Sequence, residues 1–288
     1  MNSSFYIGNV EFILEAPCTM IFHNELEQFL KPVMDIIRVV RYHVRFMEGP
    51  RPLSFHYVTQ IDYPPHIIGN TENGECRIYR DVFHGQPVAM YREINKDDIE
   101  LVFYKSCPEK WEVELNDLNF MAIERQMIQA EAMILHSSFI VVNEEAILFT
   151  APSGTGKSTQ ADLWEHFGGA TIMNGDRTLL VKTSQGWRAA GFPFSGSSGI
   201  SRNGAFQIKA VVMIHQAVEN EGEVVKSSTA FKRCYPEIVR NYWNAEYEEQ
   251  VIRLLGELFV STPGIIFGCN MKKDAVKCLG KILYIRGE

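Results

Sequence analysis

Short apolar runs separated by turn residues dominate residues 1–115. In many of these runs apolar and polar positions alternate, which is the period of a β-strand with one buried face. The runs are FYIGNVEFIL, IIRVVRYHVRF, CRIYRDVF, PVAMYREI, IELVFY and WEVEL, and turn residues concentrate in EGPRP, DYPPH and NTENGE. We therefore predict a mainly antiparallel β layer with one short helix near residues 24–29. No motif in this half carries recognisable chemistry.

The period changes in NDLNFMAIERQMIQAEAMILHSS, which begins at Asn116. Apolar residues now recur every three or four positions, at Phe120, Ile123, Met127, Ala130 and Ile134. This is the spacing of an amphipathic helix, and Asn116 or Asp117 is suited to cap its start. We predict that this helix joins a mainly β domain, residues 1–115, to a second domain, residues 116–288.

Strands and helices alternate in the second domain. FIVVNEEAILFT is predicted to form a hairpin that turns at residues 143–145, and a helix follows over about residues 156–167. A strand ATIM, a turn NGDR, a second hairpin and a strand IKAVVMIH come next. Helices over about residues 230–242, 245–260 and 272–285, with a strand GIIFGC, complete the pattern. This order of elements indicates an α/β fold.

The stretch APSGTGKST, residues 151–159, lies between the first hairpin and the helix that follows it. A phosphate-binding loop points consecutive backbone N–H groups into one concavity at the N-terminus of a helix. Gly154 and Gly156 permit that backbone path, Lys157 is suited to pair with the β and γ phosphates, and Ser158 is suited to ligate Mg²⁺. The candidate nucleotide-binding residues are Ser153, Gly154, Thr155, Gly156, Lys157, Ser158 and Thr159.

Ala151 stands where the usual G-x-x-x-x-G-K-[ST] pattern begins with glycine. A methyl group there blocks none of the inward N–H groups, unless the residue needs a positive φ. The alternative interpretation of the whole stretch is an ordinary glycine-rich turn.

Two further residues are candidates for the chemistry of phosphoryl transfer. Asp176 follows the strand ATIM, so in a parallel sheet its carboxylate would emerge at the same edge as the loop, placed to hold Mg²⁺ and to take a proton. His136, at the end of the predicted joining helix, is placed to approach the phosphates. The alternatives are a solvated turn for Asp176 and a structural histidine for His136.

A second stretch rich in glycine and serine, GFPFSGSSGIS, spans residues 191–201. Such a segment is suited to form an anion-binding nest or a mobile loop over the acceptor. A flexible connector between two strands is the alternative.

Composition and charge narrow the range of functions. The chain has 288 residues, of which 46% are hydrophobic and 22% charged, as in a soluble protein of two domains. A formal net charge of −7 argues against nucleic-acid partners. The six cysteines form no C-x-x-C pair, which favours reduced thiols, and no apolar run approaches the roughly 18 residues needed to cross a bilayer. Without a signal-like start, we expect a cytoplasmic protein with no membrane partner.

The segments LHSS, APSGTGKST, NGDR and GFPFSG together resemble the HPr kinase/phosphorylase family over about residues 115–285, and more distantly the phosphoenolpyruvate carboxykinases. The S-G-x-G-K-[ST] form of that family's loop is matched by residues 153–158. The family follows its loop with an Asp-Asp pair that binds Mg²⁺ and acts as acid and base, and here that pair reads Gly175-Asp176. One carboxylate of the pair is therefore absent.

Kinases of peptide natural-product clusters, which include those that modify lasso peptides on serine, carry a G-x-P-W-S-G stretch that GFPFSG resembles. This resemblance implies that Gly191, Pro193, Ser195 and Gly196 surround the active site.

The resemblance implies a P-loop kinase core with a mixed sheet, like the C-terminal domain of HPr kinase, preceded by a mainly β domain that recognises the substrate. The implied function is an ATP- and Mg²⁺-dependent kinase that phosphorylates a hydroxyl, in the first instance a serine, of a peptide or protein such as a ribosomal natural-product precursor. The family also suggests a homo-oligomer. The absent carboxylate keeps an alternative open, a catalytically inactive nucleotide-binding module for peptide recognition or regulation.

Overall fold

The structure, a computed structural model, describes residues 1–49 and 55–284. The chain is a mixed α/β protein with mixed sheets, and it divides into two compact units, Met1–Gln126 and Met127–Glu288. The division falls inside the segment predicted to join the two domains. Most of the predicted turn EGPRP, and residue 285 at the end of the predicted last helix, lie outside the described residues.

The first unit is built on an eight-stranded sheet. Its strands in chain order are β1 (Asn2–Ile7), β2 (Val10–Glu15), β3 (Thr19–Phe22), β4 (Arg38–Phe46), β5 (Val58–Tyr63), β6 (His66–Thr71), β7 (Gly74–Arg80), β8 (Pro87–Glu93), β9 (Asp98–Phe103) and β10 (Lys110–Val113). Its helices are α1 (Asn24–Glu27), α2 (Leu115–Leu118) and α3 (Ile123–Gln129), the last of which runs on across the boundary between the units. The sheet order is β1-β2-β4-β9-β8-β7-β6-β5, and β3 pairs separately with β10.

The predicted strands of this unit are all present, and the short helix near residues 24–29 is α1. The sheet is less uniformly antiparallel than predicted, because β4 runs parallel to both β2 and β9. The pattern missed β3, β5 and β6. Strand β5 is exposed at nearly every position, so it lacks the alternation that marks a half-buried strand.

Five charged side chains of the first unit form what we call the buried charge cluster: Glu75, Arg77, Glu93, Glu124 and Arg125. Arg77 lies 2.7 Å from a Glu75 oxygen and 2.6 Å from a Glu124 oxygen. Arg125 donates two hydrogen bonds to Glu93, one of them at 2.8 Å. Burial works against the charge on Arg125, but Glu93 outweighs it, so the pKa of Arg125 is raised. The cluster fastens the start of α3 to the sheet.

The second unit surrounds a second sheet. Its strands are β11 (Ala132–Val142), β12 (Glu145–Thr150), β13 (Thr171–Asn174), β14 (Arg177–Thr183), β15 (Gly186–Ala190), β16 (Ala205–Gln216), β17 (Glu221–Val225) and β18 (Gly264–Cys269). Its helices are α4 (Lys157–Gly168), α5 (Ser227–Cys234), α6 (Ala245–Ser261) and α7 (Asp274–Tyr284), with 3-10 turns at Gly196–Ser198 and Tyr235–Glu237. The strand order is β12-β11-β14-β15-β16-β18-β17. Because β12 also pairs with β16, the strands β12, β11, β14, β15 and β16 form a closed ring of paired strands.

Two apolar cores lie against this sheet. Adjacent residues of one strand enter different cores: Leu148 packs with α5 and α6, whereas Phe149 packs with α4 and α7. Because successive side chains of a strand point to opposite faces, the sheet is buried on both sides. This explains the nearly continuous apolar runs of β11 and β12.

The helix predicted to join the two domains is partly wrong. Helix α3 ends at Gln129, Glu131 adopts a positive φ of 54°, and β11 begins at Ala132. The AMILHSS part of the segment, including His136, is therefore strand. The helical spacing of Ala130 and Ile134 was misleading, because an apolar run buried on both faces has no period that separates strand from helix.

The predicted turn at NGDR is also wrong. Strands β13 and β14 both run antiparallel to β11, with Phe139 opposite Asn174 and His136 opposite Arg177. They are one strand interrupted at residues 175–176, where the Asn174 Oδ1 accepts hydrogen bonds from the backbone N–H groups of Asp176 and Arg177, both at 2.9 Å. Since β12 is also antiparallel to β11, the carboxyl ends of β12 and β13 lie at the same end of the sheet.

Two smaller predictions in the second unit need correction. The helix predicted over residues 230–242 ends at Cys234 and continues only as a 3-10 turn, since Pro236 cannot donate to a longer helix. Strand β17 was missed, and four of its five residues are exposed.

Candidate functional site

The loop over residues 151–156 connects β12 to α4 and leaves a concave surface open. Gly154 and Gly156 have φ values of 79° and 116°, and a β-carbon at either would meet no atom within 4 Å. Gly156 is the N-cap of α4, and no side chain there bonds to the first turn of the helix. The two glycines are thus required for the backbone path, and the N-terminal N–H groups of α4 are left for a ligand.

Ala151 does not disturb this path. Among the described residues, positive φ values at non-glycine positions occur only at Ala122, Glu131, Asn143 and Glu144. Ala151 is buried as a member of the core under α4. Its methyl group therefore packs into the protein, where the glycine of the usual pattern would leave a gap.

Lys157 is the first residue of α4, and its side chain folds back over the loop. Its Nζ donates to the carbonyl oxygens of Ala151 at 2.8 Å and of Pro152 at 3.4 Å, and only 7% of the residue is exposed. Burial lowers the pKa of Lys157, and the negative charges of Glu237 and Asp176 oppose that shift. The ammonium group is held by two neutral carbonyls, which a phosphate oxygen can replace.

Asp176, His136 and Glu237 form a line of contacts that we call the acid–histidine row. The Nε2 of His136 lies 3.3 Å from Asp176 Oδ1, and its Nδ1 lies 3.1 Å from Glu237 Oε2. Arg177 Nε lies 3.4 Å from the other oxygen of Asp176. His136 Nδ1 forms a hydrogen bond with Glu237, and Nε2 of the same ring faces Asp176, so one imidazole lies between two carboxylates.

The backbone of the sheet positions the acid–histidine row. His136 lies on β11, and the backbone N–H of the next residue, Ser137, donates to Asp176 O at 2.9 Å. Ser138 Oγ donates to Gly175 O, also at 2.9 Å. The 3-10 turn that carries Glu237 is tied to β11 by a bridge between residues 135 and 238.

The segment over residues 195–198 lies against Asp176. A β-carbon on Gly196, whose φ is 58°, would be 2.7 Å from the Asp176 Cγ. A β-carbon on Gly175 would collide with Ser198, so this serine occupies the space beside the position where the resemblance predicts a second carboxylate. Glycine is therefore required at both 175 and 196 by close packing.

These elements enclose one cleft of about 280 Å³. The predicted site residues that line it are Ser153, Gly154, Gly156, Lys157, Ser158, Thr159, His136 and Asp176, and Ser195, Ser197 and Ser198 line it as well. Thr155 does not line the cleft, and its hydroxyl donates to Pro152 O at 2.8 Å. Of the residues implied by the GFPFSG resemblance, Gly191 and Pro193 are buried away from the cleft, whereas Gly196 contributes only through its contact with Asp176.

Glu237 is the residue of this site that sequence reasoning missed. It lies in the turn after α5, far along the chain from both the loop and Asp176, and no motif surrounds it. Only the fold of the α5–α6 segment across β11 brings it to His136. No local pattern in the sequence would have found it.

The fit of a magnesium ion depends on the nucleotide. Within residues 1–49 and 55–284, no group of three or more His, Cys, Asp and Glu side chains is arranged to hold a metal. Ser158 and Asp176 face the same cleft, and Mg²⁺ is commonly held by one or two protein oxygens together with phosphates and water. The residues therefore fit a metal that arrives with a triphosphate.

Comparison with known proteins does not identify a family for this chain. No family model matches the sequence, and no curated protein matches it. Among solved structures, the chain is similar to the HPr(Ser) kinase/phosphatase from Coxiella burnetii, with 10% identity and a TM-score of 0.31, over 52% of this chain and 87% of that one. A similarity this weak assigns neither fold nor activity. No helix within the described ranges has the length and apolar character needed to cross a membrane.

Proposed function

We propose that this chain is an ATP-dependent kinase that transfers the γ-phosphoryl group to a hydroxyl of a peptide or protein. One observation carries the proposal: the open amides of the loop, the buried Lys157 and the carboxylate of Asp176 all line a single cleft. Phosphoryl transfer depends mainly on positioning and on neutralising charge, and these groups supply both.

Each group has a distinct role in the proposed reaction. The N–H groups at the start of α4 bind the phosphates, and Lys157 exchanges its contacts with Ala151 O and Pro152 O for the β and γ phosphates. Asp176 takes the proton of the acceptor hydroxyl. His136, held by Glu237, keeps Asp176 oriented and can take up charge as that proton arrives.

Magnesium, held by Ser158 and Asp176 together with the phosphates, would neutralise charge on the transferred group. A single carboxylate suffices in this proposal because His136 and Glu237 supply the proton relay beside it. The acceptor class, for which we propose a serine of a ribosomal natural-product precursor, would be selected by the mainly β unit.

A second function is favoured by the filled space beside Gly175. Because Ser198 occupies it, the chain lacks a carboxylate that a two-acid mechanism needs. On that ground the alternative is a nucleotide-binding module that recognises a peptide or regulates a partner without phosphoryl transfer.

The test is incubation of the chain with γ-labelled ATP, Mg²⁺ and a set of serine-containing peptides, in parallel with a direct measurement of ATP binding. The kinase proposal expects label transfer that falls about 10²- to 10⁴-fold in Asp176→Asn, with ATP binding retained. Tight ATP binding without transfer to any acceptor would favour the binding module. Transfer that survives Asp176→Asn would refute the role given to this acid.

A further inference from the structure

Three serine hydroxyls of the chain itself line the cleft in which the γ phosphate would lie, those of Ser195, Ser197 and Ser198. Ser198 is occupied: its Oγ donates to Ser195 O at 2.7 Å and accepts from Ile200 N at 3.2 Å. Ser197 is exposed, and no hydrogen bond of its hydroxyl is found in the described part of the chain. Its Oγ is therefore free to act as an acceptor.

Packing holds Ser197 close to the proposed base. The residue before it, Gly196, lies against the Asp176 carboxyl so closely that a β-carbon would not fit. The start of the segment is fastened by Asn174 Nδ2, which donates to Phe192 O at 2.8 Å and to Phe194 O at 3.0 Å. Asn174 also orients the Asp176 backbone, so the serine segment and the acid share one anchor.

From this arrangement we propose that Ser197 is a site of self-phosphorylation, at which the chain transfers the γ-phosphoryl group of ATP to its own Ser197 Oγ. The inference rests on the proposed kinase function and names an internal acceptor for it. A bond forms between Ser197 Oγ and the γ phosphorus while the bond from that phosphorus to the β–γ bridging oxygen breaks. ADP leaves, and the proton of the hydroxyl passes to the Asp176 carboxylate.

Phosphorylation of Ser197 would inhibit further turnover. A phosphoserine carries about −1.5 to −2 charges near neutral pH. At position 197 it would lie in the cleft that the Asp176 carboxylate and Lys157 also line, where its negative charge would compete with a second nucleotide for the Lys157 ammonium. Self-phosphorylated chain is therefore expected to bind ATP more weakly than unmodified chain.

The experiment uses the full chain with ATP and Mg²⁺, followed by intact-mass measurement and fragment mapping of the modified residue. One phosphoryl group at Ser197 is expected. It should be absent in Ser197→Ala, present as phosphothreonine in Ser197→Thr, and unaffected in Ser184→Ala, which removes an exposed serine outside the cleft. The rate per chain should not change on dilution, because the acceptor belongs to the same molecule.

ATP binding and transfer to an external peptide are measured on the same samples. If the external peptide is labelled while Ser197 stays unmodified, self-phosphorylation is refuted and the kinase proposal stands. If ATP binds but neither the peptide nor Ser197 is labelled, self-phosphorylation is refuted and the binding module is favoured. If ATP neither binds nor reacts, both fall together. A mixture of the native chain with Lys157→Ala tests the route, since label on the Lys157→Ala chain would overturn transfer within one molecule.

Discussion

The buried charge cluster and the acid–histidine row are both groups of ionisable side chains in contact, but they differ in how far those side chains are exposed. In the buried charge cluster, the side chains of Glu75, Glu93 and Arg77 are at most 8% exposed, and Arg77 lies 2.6 to 2.7 Å from its carboxylates. In the acid–histidine row, the contacts are 3.1 to 3.3 Å long, and His136 and Asp176 are about 30% exposed. The first arrangement is closed to solvent and ties elements of the fold together, whereas the second leaves His136 and Asp176 accessible from the cleft.

The largest expected effect is a loss of stability when the buried charge cluster is disrupted. Arg125→Ala leaves Glu93 buried without its bidentate partner, which is expected to cost about 3–5 kcal/mol of unfolding free energy. Urea unfolding of the full chain measures the loss. Arg253→Ala is the matched control, because that arginine is 43% exposed in its pairs with Glu131 and Glu257 and should cost about 1 kcal/mol or less. Equal losses would mean that burial does not distinguish the two groups of charges.

The next largest effect is a loss of label transfer when the cleft is altered and the fold stays intact. Lys157→Ala removes the ammonium group from the phosphate site and is expected to lower label transfer about 10²- to 10³-fold. Transfer from γ-labelled ATP measures the change, and circular dichroism checks the fold. Lys209→Ala, which removes a surface pair with Glu145 in the same unit, should leave transfer unchanged. A loss confined to stability would contradict the role of Lys157.

A smaller effect tests the far end of the acid–histidine row. Glu237→Gln keeps the side-chain shape but weakens the hold on His136 Nδ1, which we expect to lower kcat about 10- to 100-fold by analogy with other carboxylate–histidine pairs. The KM for ATP should stay unchanged, because Glu237 does not line the phosphate cleft. Steady-state kinetics separates the two constants. A rise in KM at constant kcat would show that Glu237 acts on nucleotide binding instead.

The packing around Asp176 can be tested through Gly175. Gly175→Ala forces a β-carbon into Ser198, which is expected to cost about 1–3 kcal/mol. Addition of Ser198→Gly should recover most of that loss. Gly256→Ala is the control, since a β-carbon there meets nothing within 4 Å in the middle of α6 and should stabilise the helix. If Gly175→Ala is tolerated as well as Gly256→Ala, the space beside Asp176 is open and a second carboxylate would fit.

The smallest effect is a dependence of stability on pH. Burial holds the folded-state pKa of Lys157 below its ordinary value of 10.5, so between these two values the unfolded chain binds more protons than the folded chain. Stability contributed by this residue should therefore rise with pH across that window. Urea unfolding of native chain and Lys157→Met, compared from neutral pH to 10.5, should show the native chain gaining relative to the variant. A constant difference would contradict the lowered pKa.

Parts of this picture follow from the sequence because they are local. The positive φ angles at Gly154 and Gly156 depend on a few neighbouring residues. The apolar runs on either side predicted the strand before the loop and the helix after it. Asp176 was expected at the same sheet edge as the loop, and the structure brings the two together although the strand that carries it pairs with β11 rather than with β12.

Other parts depend on pairings that no local pattern records. The first part of β11, AMILHSS, was predicted to be helix because this buried run does not show the alternation of a strand, so His136 was assigned to the wrong kind of element. The contact of Glu237 with His136 requires α5 and its 3-10 turn to pass over β11. Ser198 and Gly175 are distant in sequence and meet only through tertiary packing. From the sequence alone, Gly175 could therefore be interpreted only as the absence of the second carboxylate.

The interruption at residues 175–176 determines how Asp176 is held in the sheet. The backbone of Asp176 is held in the sheet because pairing with β11 continues before and after residues 175–176, whereas the serine segment packs against the Asp176 side chain. If the proposed function is correct, exchange of that segment would change which molecules reach the cleft, while the backbone of the proposed proton acceptor stays fixed in the sheet. New selectivity would then arise without rebuilding the reactive centre.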